Sequence, residues 1–239
     1  MRDTSSTSST SAVQSRAVAF ALTARSLGRE PSVLADLEHV ATLRVVLHAI
    51  DDGRPLRRLV GFDAGALPEV DDLAGRWVRW FDLGRIAPYE ASNVATTVGG
   101  ITPRLADIAG FYRAFGMAVP HDRPDHVVAE LEFLALALLH ETDALAGGDR
   151  QRLDVLGDVI RSFLRDHIGG WIDAWAARVD EVPELHPWAP FAAIAADLVA
   201  NEARLRNVIP VRTDAVLAAD VELDDAPVLE CGAAESIGI

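Results

Sequence analysis

The stretch RPDHVVAELEFLALALLHE, Arg123–Glu141, decides the fold. From Val127 to Leu139 it is almost unbroken hydrocarbon, interrupted by Glu130 and Glu132. Its residues are mostly strong helix formers, so it predicts a helix in the middle of the protein. Pro124 and Asp125 read as its start, with Asp125 as the N-cap accepting backbone N–H groups and its charge favoured by the helix dipole. That accounts for Asp125 but not for Glu130, because a carboxylate in a buried helix needs a donor or a cation.

At about 100° per residue, Val127, Leu131, Leu134 and Leu138 form one line along this helix. Glu130 falls with His126, Phe133 and Ala137. Glu132 points away, beside Val128, Ala135 and Leu139. The two carboxylates are therefore not a close pair, which excludes a retaining-glycosidase arrangement within the helix. His126 and Glu130 share a face, and one His with one Glu is half a metal site. No Glu-x-x-His motif supplies the other half. An α-helical metal- or cofactor-binding enzyme using His126 and Glu130 is thus the alternative reading. No nucleophile elbow, phosphate loop, dinucleotide fingerprint or zinc-protease motif appears, so no enzyme, metal or cofactor is expected.

Outward from this helix the pattern stays helical. Helices are expected over 12–27, from a Ser32 cap to about Ile50, over 71–83 with Trp77, Trp80 and Phe81, and from Thr102 or Pro103 to about Met117. Further helices are expected over 150–167, 170–181 and 187–208. The repeat His167, Trp171, Trp175 reads as core. Between them, GRIAPYEASNVATTVGGITP is a long aperiodic segment, a length that in compact domains often carries function. No strand alternation, repeat or heptad occurs. The expectation is an all-α fold, a single globular multi-helix domain over 12–209. It is flanked by a flexible Ser/Thr tail at 1–11 and a weakly ordered acidic tail at 210–239.

The net charge is −14, and every basic residue other than histidine is arginine. A nucleic-acid-binding face needs clustered cations, so nucleic acid is excluded as a partner, whereas a cationic peptide is admitted. A lone cysteine, Cys231, forms no intramolecular disulfide and no cysteine-rich zinc site. The N-terminus lacks the apolar core of a secretory signal, and no segment reaches the roughly 18 uncharged apolar residues that span a bilayer. A cytoplasmic protein without membrane insertion is expected.

Several segments together resemble the TorD/DmsD/NarJ family of molybdoenzyme maturation chaperones. Its signature runs Pro-Asp-His, a few apolar residues, then Glu-Leu-Glu-Phe. Here these are Pro124, Asp125, His126, then Glu130, Leu131, Glu132 and Phe133. Upstream, WVRWFDLGRIAPYEAS is similar to the family's aromatic segment leading to Pro-Tyr-Glu-Ser, with Pro88, Tyr89 and Glu90 matching. Trp80-Phe81 stands for the usual Leu-Phe, and Ala91 displaces Ser92 by one place. The resemblance covers about residues 15–208. It implies a TorD-like all-α fold and a non-catalytic role. The implied partner is a molybdopterin oxidoreductase catalytic subunit, or its twin-arginine leader, held until the cofactor is inserted.

A leader of paired arginines and an apolar stretch needs carboxylates for the guanidinium forks and an apolar surface. Asp125, Glu90, Glu130 and Glu132 are the candidate acceptors. Pro88, Tyr89, Trp77, Trp80 and Phe81 are candidate groove walls. Asp125, His126 and Tyr89 rank before either glutamate, since one of Glu130 and Glu132 is expected to pair with an arginine of the chain, such as Arg104 or Arg113.

Overall fold

The computed structural model describes residues 4–50, 53–95, 100–118 and 123–212. Among them there is no β-strand. The helices are α1 (Thr4–Ser26), α2 (Ser32–Ala35), α3 (Leu37–His48), α4 (Arg54–Arg57), α5 (Val70–Trp77), α6 (Glu90–Asn93), α7 (Thr102–Ala114), α8 (Val127–Gly147), α9 (Arg150–Asp166), α10 (Ile172–Asp180) and α11 (Ala189–Leu205). The all-α expectation holds.

Helix α8 is the axis. Val127, Leu131, Phe133, Leu134, Ala137 and Leu138 are all fully buried, so the helix is covered on nearly every side. α1 lies along it and α9 packs beside it, while α3 and α11 pack against α1. Full burial of one such Leu or Phe side chain contributes about 1.5–3 kcal/mol. α8 stops at Gly148, whose φ of 69° is left-handed and favours glycine. The next residue, Asp149, caps α9 by accepting from Arg152 N at 3.0 Å. One Gly-Asp pair thus ends one helix and starts the next. α9 buries Leu156, Ile160, Phe163 and Leu164, a helical stripe facing the core.

Three boundaries differ from expectation. α1 begins at Thr4, inside the stretch read as a tail, because a Ser/Thr run without an apolar stripe gave no periodic signal although its backbone is helical. The helix expected from Ser32 is broken at Asp36, whose carboxylate caps α3 by accepting from Glu38 N and His39 N at 3.0 and 3.1 Å. The helix expected over 71–83 changes at Val78–Asp82 into a π-turn, a form common at functional sites.

Pro210–Arg212, read as the start of the acidic tail, packs against the turn after α9. Val211 N donates to Arg165 O at 2.7 Å, and Arg212 pairs with Asp173. A Cβ on Gly169 would lie 2.2 Å from Leu164 O and 2.8 Å from the Pro210 ring, so only glycine fits this crossing. Residues 213–239, with Cys231, lie outside the described residues.

Candidate functional site

Pro88-Tyr89-Glu90 and Asp125-His126-Val127 lie antiparallel and form a one-residue β-bridge between Tyr89 and His126. Glu90 N donates to Asp125 O and Val127 N to Pro88 O, each at 2.8 Å. Both segments are extended because each immediately precedes a helix, α6 and α8, and the bridge satisfies backbone groups that neither helix can use. Tyr112 on α7 fixes the joint from below, its hydroxyl donating to Pro124 O at 2.7 Å.

This joint corrects the capping assignment. The N-cap of α8 is His126, whose Nδ1 accepts from Val128 N at 3.2 Å. Asp125 instead caps α6 across the joint, accepting from Ala91 N at 3.0 Å through Oδ2. It also takes a two-point fork from Arg123, Nε to Oδ1 at 2.9 Å and Nη2 to Oδ2 at 2.6 Å. The Arg123 guanidinium carbon lies 4.5 Å from the centre of the Tyr89 ring. The rings of Tyr89 and His126 meet edge-on at 5.1 Å. Asp125 is 0 % exposed, while the Arg123 side chain above it is 38 % exposed.

Beneath the joint lies a carboxyl pair. Glu90, fully buried, accepts from Arg104 and faces His167 Nδ1 at 3.2 Å. The other nitrogen of His167 faces Asp107 at 3.1 Å, so a polar line runs from exposed Asp107 to enclosed Glu90. Glu130, also 0 % exposed, accepts one bond from Trp171 Nε1 at 3.3 Å. Burial pushes its carboxyl well above the usual range. The charge of Glu90, a hydrogen bond to Glu90 and the charge of Asp125 push the same way. These causes all favour the protonated form of Glu130, while Glu90 beside it faces Arg104 and His167. Burial, then Glu130, Glu90 and Asp125, also raises the Tyr112 hydroxyl.

The expected pairing of Glu130 or Glu132 with Arg104 or Arg113 does not form. Arg104 serves Glu90, which lies nearer because the joint folds residues 88–90 over α8. Glu132 is exposed on α8, partly desolvated so that its carboxyl is raised, and has no ion pair among the described residues. Pro88, Tyr89, Glu90, Asp125, His126 and Glu130 are thus gathered into one joint. Phe81 and Trp77 are core residues, packed with Trp175 and Trp188. Trp80 is half-buried with Arg85 over its ring at 5.5 Å.

Sequence reasoning passed over Arg123, Tyr112 and the bridging role of His167. Arg123 adjoins the signature, and its spacing from Asp125 was the available signal. The half-site of the alternative reading is committed elsewhere, His126 Nδ1 to Val128 N and Glu130 to Trp171. Among the described residues no three His, Cys, Asp or Glu side chains are grouped to hold a metal ion, and no helix is long and apolar enough to cross a membrane.

The sequence model of the nitrate reductase delta subunit family matches residues 49–177, just over half of the chain and all of the joint. The chlorate reductase assembly chaperone protein of Ideonella dechloratans is 33 % identical over 79 residues, 32 % of this chain and 40 % of that relative. The aligned stretch thus spans well under half of the relative. No solved structure matches the chain. With the match running through both bridged motifs and the helix they anchor, this chain belongs to the nitrate reductase delta subunit family.

Proposed function

We propose that this protein is a non-catalytic, cytoplasmic assembly chaperone for a molybdopterin oxidoreductase. It holds the arginine-bearing N-terminal leader of the catalytic subunit, or the apo-subunit carrying it, and delays export until the cofactor is inserted. Family membership and the chlorate reductase relative support an assembly role. The observation that carries the leader as target is the receptacle formed by Asp125 and Tyr89. A carboxylate fixed by backbone bonds beside an aromatic face matches the planar, five-donor guanidinium.

In this reading Asp125, Tyr89 and His126 form the contact. Trp80 and Glu132 are the remaining candidates with exposed aromatic or acidic surface. Glu90, Glu130, Pro88 and Phe81 are enclosed and act by holding the joint.

Titration calorimetry with a peptide of paired arginines and an apolar stretch tests the reading. The peptide is expected to bind, and replacing both arginines by glutamine weakens it by about ten- to a hundredfold, the worth of a charge-assisted bond. Asp125→Asn is expected to weaken binding by a similar factor with an unchanged circular dichroism spectrum, because Asn still accepts from Ala91 N. Equal affinity of both peptides for both proteins, at low and at high salt, removes the acidic receptacle and leaves the apolar stretch as the only determinant.

A further inference from the structure

We infer that Arg123 is a built-in competitor: its guanidinium fills the Asp125–Tyr89 receptacle, and an arginine of the bound segment displaces it. Guanidinium forks on carboxylates occur elsewhere, Arg58 on Asp197 and Arg165 on Asp166. Among the described residues, only Arg123 combines the fork with an aromatic face. The rest of the receptacle is fixed independently of Arg123. Asp125 O accepts from Glu90 N, Asp125 Oδ2 from Ala91 N, and Pro124 O from Tyr112. Withdrawal of one partly exposed side chain therefore uncovers a carboxylate already in place.

Self-occupation solves a physical problem. An unpaired carboxylate in an enclosed position is costly, and Arg123 keeps Asp125 paired while no segment is bound. Exchanging one guanidinium for another conserves the charge, the fork and the stack. An ammonium forms no fork, so lysine displaces Arg123 poorly. Arg123 thereby sets a threshold that only arginine-bearing segments with further apolar contacts pass. This rests on the proposed function only for the source of the guanidinium.

A competitor lowers every ligand of the receptacle by one common factor, which a direct contact would not. In Arg123→Gln, calorimetry is expected to give about tenfold tighter binding of the twin-arginine peptide. The twin-lysine version is expected to gain by the same factor, and the twin-glutamine version by none. Arg123→Lys, which keeps a charge over Asp125, gains less and carries the test if the Gln variant melts too low. Independently of any peptide, low-millimolar methylguanidinium is expected to raise the melting temperature of Arg123→Gln but not of wild type, and methylammonium that of neither. Unchanged or weaker binding of the arginine peptide in both variants overturns the inference, as does an equal methylguanidinium response in mutant and wild type. If methylguanidinium stabilises Arg123→Gln alone while no leader peptide binds either protein, the receptacle stands and the leader is not its partner.

Discussion

Three buried glutamates form two centres in different electrostatic company. Glu202, on α11, is fully enclosed and takes two arginines, Arg16 of α1 at 2.8 Å and Arg206 at 2.7 Å. Arg206 continues to Glu141 of α8 at 2.6 Å. Burial alone would lower Arg206, but the two glutamates raise it. Each charge there has a counter-charge, and the network staples α1, α8 and α11. Glu90 takes one arginine and one histidine, and Glu130 beside it takes neither. One oxygen of Glu130 has no hydrogen-bond partner, and burial foremost raises its carboxyl well above the usual range. The first centre is balanced and serves only packing. The second holds a glutamate without a cation partner beneath the Arg123 fork on Asp125, the one place among the described residues where a forked guanidinium meets an aromatic ring. A buried carboxyl without a counter-charge marks the second centre as the candidate site.

Glu202→Ala puts this contrast at greatest risk. Removing one member of a buried ion network strands the others, and about 3–5 kcal/mol of stability is expected to go. Denaturant unfolding measures it. The fraction that stays folded should bind leader peptide as wild type does. Glu90→Gln comes next. It loses a charge-assisted bond to Arg104 worth about 1.5–3 kcal/mol, partly offset because Glu130 no longer faces a carboxylate. Its leader affinity should fall with the joint it holds. A Glu90→Gln loss exceeding that of Glu202→Ala would erase the distinction between the two centres.

The central helix was legible because hydrocarbon on every face has one place to go, and because Gly148-Asp149 is a stop followed by a cap. The membership of the joint was legible from two motifs. Their division of labour was not. Asp125 precedes a helix and reads as its cap, but its carboxylate serves α6, which lies earlier in the chain and arrives only when the bridge forms. For the same reason Arg104 was anticipated as partner of a signature-helix glutamate and is found on Glu90. The π-turn at 78–82 left no trace, since its residues suit any helix. Local chemistry is written in sequence; which of several acids meets a cation depends on non-local packing.

The smallest expected effect discriminates most finely. Glu130→Gln replaces a carboxylic acid by its neutral isostere, so at pH 5 stability should change by less than about 1 kcal/mol. The folded-state value of Glu130 lies above its ordinary 4.5. Between that value and the raised one, the folded protein holds a proton that the unfolded chain releases. Wild-type stability therefore falls as pH rises through this window, by at most about 1.4 kcal/mol per unit for one group, and levels off once the folded-state carboxyl ionises. Below about pH 4.5 both states are protonated, so the slope vanishes and the stability this group contributes is fully present. Glu130→Gln lacks the titration, so its stability relative to wild type should grow from pH 5 to pH 8. Parallel stability curves for Glu130→Gln and wild type across this range would mean that Glu130 is ionised in the folded protein. The raised proton affinity that sets this centre apart from the Glu202 network would then not exist.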